Sequence, residues 1–197
     1  MPEMNATVPA TLTGGHVCLA VCAVLYLAWW WIFFNPSMPK ATGVLYAAGV
    51  GCIVGAVLFG IAAVVLMAMG LGALSGAGAG GLAPGWAFAV GGIVAYAGLA
   101  YVTVRFFQRP LTTELLLFVL WAALELAVLN ALAGSGALAS CITFALIAAV
   151  VAVFLGCLVC YVLYFRLSPL PSFAAGALPL AAVGVLAAAM AAIIARI

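Results

Sequence analysis

Charge is the property that this sequence most lacks. Its 197 residues contain five Lys or Arg and three Asp or Glu, so 4% of the chain is charged while 71% is hydrophobic. A soluble domain carries about 25% charged residues. A chain so poor in charge cannot cover a water-facing surface, which predicts that lipid is its main solvent. The basic residues are scattered, so no basic patch is present to bind nucleic acid.

Motifs for catalysis and metal binding are also missing. The sequence has one histidine, His16, and it contains no HExxH, P-loop or Asp-rich metal motif. Its six cysteines lie inside or at the edges of apolar runs, where we interpret them as small packing residues. Cys157 and Cys160 have CxxC spacing, but no second pair accompanies them, so the metal signal is weak. We therefore expect a protein that is not an enzyme and has no cofactor or metal site.

A cleavable signal peptide is not expected. Residues 1–12 contain Glu3 and no Lys or Arg, whereas a signal peptide begins with positive charge. The apolar runs are continuous rather than alternating, which argues against a transmembrane β-barrel. The remaining way to satisfy the backbone polar groups in lipid is the α-helix.

Six apolar runs dominate the sequence, and a helix needs about 20 such residues to cross a bilayer. We predict spans at about 14–34, 42–69, 86–107, 111–132, 139–165 and 173–195. The predicted fold class is all-α, a polytopic integral membrane bundle of six transmembrane helices. Residues 1–197 are expected to form one transmembrane domain, with the lipid bilayer as its main partner.

The basic residues predict the orientation. Loops one–two, three–four and five–six carry them (Lys40, Arg105, Arg109 and Arg166), whereas loops two–three and four–five have none. By the positive-inside rule, the basic loops are cytoplasmic. Both termini are then outside the plasma (inner) membrane, and Arg196 is the one basic residue that does not fit.

An aromatic block ends the first span, and it contains Trp29, Trp30, Trp31, Phe33 and Phe34. Tryptophan is enriched at the level of the lipid headgroups, so we interpret the block as an interfacial anchor. The alternative is an aromatic cage for a cationic ligand. Three consecutive tryptophans point in different directions on a helix, so at most one or two of them could line such a cage.

Small residues recur every four positions in the second span, among them Gly51 and Gly55. Such spacing lets helix backbones approach closely, either within the chain or between two copies in a homo-oligomer. The following segment, residues 70–85, is rich in glycine and uncharged. We predict a flexible outer loop there.

Two halves of three spans would have opposite orientations, as in the inverted repeats of many transporters. Residues 12–29 align with residues 111–128, with Leu-Thr at the start of both and AVLYLA beside AALELA. The alignment places Tyr26 opposite Glu125. Chance matches are common in a sequence this rich in Ala and Leu, so the 3+3 repeat and a chance resemblance are both open.

The fourth span carries two of the three carboxylates, Glu114 and Glu125, eleven residues apart. Eleven residues are close to three helical turns, so the two acids and Trp121 share a face. Thr112 precedes Glu114, and a Thr N-cap with an acid in the first turn is ordinary helix-start chemistry. Glu114 is also close enough in sequence to pair with Arg105 or Arg109. Its alternative role is that of a cytoplasmic gate or ion-entry carboxylate.

Glu125 lies well inside the span, without a compensating charge nearby in sequence. A charge at the centre of a spanning helix costs about 2.5–3.5 kcal/mol on insertion scales. Glu125 is therefore expected either to face the protein interior with hydrogen bonds or to line a water-filled cavity and bind a proton or cation. Intramembrane carboxylates often mark such pathways, and we favour the functional role.

Two other polar residues need an explanation. His16 is near the outer end of the first span and is expected to be interfacial and solvated, with a proton relay as the alternative. Asn130 is on the opposite side of span four from Glu125, where we expect a hydrogen bond between helices.

The features together predict a transporter or channel for a small solute or ion, with proton coupling as one mode. Its pathway residues are Glu125, Glu114, Trp121 and Tyr26. The alternative is a membrane-embedded substrate-binding or assembly subunit of a larger complex, without transport activity of its own.

Overall fold

Six long α-helices make up most of the computed structural model, which describes residues 7–76, 81, 83–108 and 111–197. They are α1 (Thr7–Phe34), α2 (Gly43–Gly76), α3 (Trp86–Arg105), α4 (Thr113–Gly134), α5 (Ser140–Leu163) and α6 (Pro169–Ile194). A short 3-10 helix, Tyr164–Arg166, links α5 to α6. No strand occurs within the described ranges.

All six helices are long and apolar enough to cross a membrane, which confirms the prediction of an all-α, multi-pass membrane protein. Three of them, α1, α2 and α6, are longer than predicted. Helix α6 begins at Pro169, because a proline in the first turn has no intrahelical N–H bond to lose. Helix α2 continues to Gly76, into the segment predicted as an outer loop, and Leu74 in this extension is buried.

The helices pack into two compact units. The first comprises α1, α2 up to Gly70, and the chain from Val159 onward, which includes α6. The second runs from Leu71 to Leu158 and includes α3, α4 and most of α5. These units do not coincide with the two sequence halves of the predicted 3+3 repeat, and the repeat stays a prediction.

In the first unit, α1 and α2 run antiparallel with glycines of α2 at the contact. The facing pairs, in order along α1, are Leu12–Gly70, Cys22–Gly60, Leu25–Gly55 and Phe33–Gly49. On the α1 side, a Cβ at Gly15 would lie 2.6 Å from Cγ of Met67 and 3.2 Å from the Met67 backbone nitrogen. The helices are therefore closest near Gly15, where a methyl group would have to displace backbone.

Buried small residues of α2 are spaced seven apart, and they are Gly49, Ala56, Ala63 and Gly70. A seven-residue repeat keeps one face of a helix on its neighbour, as in left-handed coiled coils. Only part of the line of small residues with four-residue spacing contacts α1. Gly55 lies against Leu25 of α1, whereas no described atom lies within 4 Å of a Cβ placed on Gly51. A homo-oligomer contact through Gly51 and Gly55 stays a prediction.

Helix α6 packs on α1 in the same unit, and Trp30 is central to this contact. Trp30 is 7% exposed, and its Nε1–H donates to the backbone oxygen of Phe173 at 3.1 Å. Gly176 lies directly against the indole ring, where there is no room for a Cβ. The aromatic block predicted as an interfacial anchor therefore has two parts. Trp30 packs inside the unit, whereas Trp31 is 55% exposed.

In the second unit, α4 is the helix with the most buried surface. Of its most apolar 18 residues 56% are buried, compared with 6–33% in the other spans. Helix α3 lies beside α4, with Gly92 close to Ala123, yet Thr103 is the one residue of α3 that is buried. Most of α3 is therefore available to lipid or to another protein.

Candidate functional site

Glu125 lies near the middle of α4, about 18 Å from the start of the helix at a rise of 1.5 Å per residue. Its exposure is 0%, so no water-sized space borders the side chain. Of the two outcomes expected for Glu125, the structure has the first, in which the side chain faces the protein interior. The alternative, a water-filled cavity lined by Glu125, is not the state seen in this structure.

Trp121 lies one helical turn before Glu125 on the same face of α4. It is 8% exposed, and its buried Nε1 has no acceptor within the described ranges. A buried indole N–H nearly always has a hydrogen-bond partner. The face of α4 therefore combines a fully buried carboxyl group with a buried indole N–H donor.

Glu114 occupies the first turn of α4, as predicted. Thr112 is the N-cap in an extended conformation, and its hydroxyl donates to Oε2 of Glu114 at 3.1 Å instead of capping a helix N–H. Arg105 is exposed and makes no ion pair within the described part of the chain. Arg109, the other predicted partner, lies outside the described residues. Glu114 is thus a half-buried acid at the helix start, in a setting quite unlike that of Glu125.

Tyr26 belongs to the first unit, whereas Glu125 belongs to the second. Its ring contacts that of Trp29 edge-on, with ring centres 5.1 Å apart. Tyr26 is therefore part of the aromatic cluster at the end of α1. The pathway role assigned to it through the sequence repeat stays a prediction.

His16 is fully buried, with an exposure of 0%, so the expectation of a solvated interfacial histidine is wrong. The physical reason is that α1 begins at Thr7, which puts His16 in the third turn of the helix. Nδ1 lies 2.8 Å from the backbone oxygen of Leu12. Because a carbonyl oxygen only accepts, Nδ1 carries the hydrogen, and Nε2 is the nitrogen at which a relay would exchange a proton. The relay itself stays a prediction.

Asn130 makes a pair of hydrogen bonds that sequence reasoning missed. The Ala83 N–H donates to Oδ1 of Asn130 at 3.0 Å, and Nδ2 of Asn130 donates to the Ala83 oxygen at 2.9 Å. Gly81 also lies against this side chain. Asn130 was expected to bond another helix, but it binds the backbone of the segment before α3. At Ala83 that segment is fixed to α4.

No cluster of three or more His, Cys, Asp or Glu side chains that could hold a metal ion occurs among the described residues. None of the six cysteines, all within the described residues, forms a disulfide. Cys157 and Cys160, the CxxC pair, lie within α5, where Cys157 is buried and Cys160 is partly buried.

The six apolar helices define a multi-pass integral membrane protein. No protein family, curated protein or solved structure matches the chain.

Proposed function

We propose that the protein is a transporter of a small solute or ion, in which the Glu125 carboxyl binds a proton or cation. The complete burial of Glu125 at the middle of a spanning helix carries this proposal. Burying an ionisable group in a membrane is costly, and such residues commonly belong to ion pathways and proton relays. A purely structural position on α4 could be filled by an apolar side chain at no such cost.

In this proposal the structure corresponds to an occluded state. Glu125 is closed off from water here, and transport requires that it become accessible in turn from each side of the membrane. When the site opens, the Trp121 N–H, one turn away on the same face of α4, would donate a hydrogen bond to a polar solute at Glu125. Glu114, about 17 Å along the same face at 1.5 Å per residue, is the carboxylate that a cation would meet first from the end of α4 that begins at Thr113.

Ion flux into liposomes that contain only the purified protein tests this proposal. Proton flux is followed with an enclosed pH-sensitive dye, and Na⁺ and K⁺ flux with the corresponding indicators. We expect Glu125→Gln to abolish flux, because the amide cannot take up or release a proton. Glu125→Asp is the matched control, since it keeps the carboxyl group and should retain measurable flux.

Folding is checked separately by size-exclusion chromatography and thermal unfolding of both variants. Wild-type flux in a folded Glu125→Gln protein would contradict the proposal. A second outcome would also contradict it: both Glu125 variants lose the same stability, but the flux per folded molecule stays at the wild-type level. Glu125 would then be only a structural acid.

A second candidate function is a membrane-embedded binding or assembly subunit, favoured by the surface of α3. Thr103 is its one buried residue, and described atoms leave open space around Gly91 and Gly98, which are seven residues apart. Open glycines on one face allow a partner helix to approach closely. A subunit of this kind would show no flux alone and would gain it only with its partner present, whereas a self-contained transporter works alone.

A further inference from the structure

One end of the first unit carries an aromatic cluster that the proposed transport function does not use. Trp30 is its centre, and its ring contacts Phe34 at 4.4 Å, Tyr164 at 5.9 Å and Phe173 at 6.3 Å between ring centres. These contacts join the end of α1, the 3-10 helix and the start of α6. The cluster therefore lies where helices enter or leave the membrane, and it is held as one surface by buried Trp30.

The outer side of this cluster is exposed and apolar. Trp31, which packs edge-on against Phe173 at 5.4 Å, is 55% exposed. Phe165 is 63% exposed and Leu170 is 61% exposed. Rings at the ends of spanning helices lie at the level of the lipid headgroups, where tryptophan is preferred because it is both apolar and a hydrogen-bond donor.

Two exposed cations lie close in sequence to these rings. Lys40 lies in the connection between α1 and α2, and Arg166 directly follows Phe165. The described residues of the first unit include no Asp or Glu. The surface is therefore positively charged as well as apolar, and both properties match a lipid with a phosphate and a net negative headgroup.

We propose that this surface binds the headgroups of anionic phospholipids. Lys40 and Arg166 would interact with phosphate oxygens, for which lysine and arginine are the usual protein partners. Trp31 and Phe165 would pack along the adjacent acyl carbons and glycerol ester groups. Anionic lipid attracts basic segments at the membrane surface, and each Lys or Arg strengthens this attraction about fivefold. The inference does not depend on transport.

Quenching of tryptophan fluorescence by brominated lipids tests the proposal in nanodiscs. Trp86 is 68% exposed and would add a second signal, so the measurement uses a Trp86→Phe background in which Trp31 is the most exposed tryptophan. Brominated phosphatidylglycerol in a phosphatidylcholine background is compared with brominated phosphatidylcholine at equal mole fraction. We expect half-maximal quenching at an about fivefold or more lower mole fraction of the anionic lipid.

The Lys40→Gln/Arg166→Gln double variant should lose this preference. Arg196→Gln is the matched control and should retain the preference, because it removes a cation at the other end of α6, a helix about 38 Å long at 1.5 Å per residue. If the double variant does not fold, raising the salt concentration on the Trp86→Phe protein should remove the preference instead.

Equal quenching by the two lipids would overturn the proposal, as would a preference that survives in the folded double variant or at high salt.

Discussion

At the scale of single residues, Asn130 binds Ala83 by the same two hydrogen bonds that one peptide group makes with another. Both bonds are within normal length, and Asn130 is 8% exposed, so little water competes for them. This side chain is the point at which the segment before α3 is attached to the second half of α4.

We expect Asn130→Ala to lower the free energy of unfolding by about 1–3 kcal/mol, since each of two hydrogen bonds contributes about 0.5–1.5 kcal/mol. Hydrogen exchange of the Ala83 amide should become faster, because its acceptor is gone. Thermal unfolding and exchange measured by mass spectrometry in nanodiscs check both effects. Ser135→Ala, at an exposed residue whose hydroxyl donates to Leu132, is the control and should change little. Unchanged exchange at Ala83 would show that Asn130 does not hold the segment.

Not all of these residues were predictable from the sequence. The interior position of Glu125 followed from the cost of exposing a carboxyl group to lipid. The burial of His16 was missed, because it depends on where α1 begins, and Pro9, which lies in the first turn of α1, was not interpreted as a helix start. The partner of Asn130 is a backbone group, and backbone groups leave no signal in a sequence.

At the scale of helices, the α1–α2 contact distinguishes glycines that look equivalent in the sequence. A Cβ at Gly15 would meet the side chain and backbone of Met67, whereas described atoms leave Gly51 more than 4 Å of open space. Both residues lie in helix interiors, where alanine is otherwise preferred over glycine by about 1 kcal/mol.

Alanine at these two positions should therefore have opposite effects on stability. We expect Gly15→Ala to destabilise the protein by about 1–3 kcal/mol through overpacking. Gly51→Ala should be neutral or stabilising by up to about 1 kcal/mol. Unfolding of both variants in mixed detergent–SDS micelles gives the comparison. Equal stability of the two variants would mean that α1 and α2 do not approach as closely as the structure indicates.

The seven-residue repeat of small residues in α2 is visible in the sequence, but nothing in the sequence favours it over the line of small residues with four-residue spacing. In water, the wrong face would be recognised by its polar residues. In lipid, glycine and alanine are tolerated on either face, and helix contacts depend on close packing instead. The sequence therefore offers several candidate faces, and the face with the seven-residue repeat is the one that packs against Leu12 and Phe33 of α1.

At the scale of the whole molecule, the number of spans was predictable and the grouping of helices was not. Span number depends on the length of apolar runs, which is read directly. Grouping depends on which faces pack together, and these helices are apolar on all sides, so no amphipathic stripe indicates a neighbour. The exception is α4, whose buried acid and amide mark it as a helix covered by protein.

The orientation in the membrane is the prediction on which the sidedness of both proposals depends. Lys40 and Arg166 lie at one end of the first unit, and Arg196 lies at the other end. Under the positive-inside rule, the end with Lys40 and Arg166 is favoured as the cytoplasmic end. We expect green fluorescent protein fused after Ile197 to be dark and alkaline phosphatase fused there to be active, because both report an outside location. A matched pair of fusions truncated after Ser168, in the connection before α6, should give the reverse pattern. Fluorescence from the fusion at Ile197 would show that the topology is inverted. The anionic-lipid surface and the Glu114 end of α4 would then lie on the outer side of the membrane.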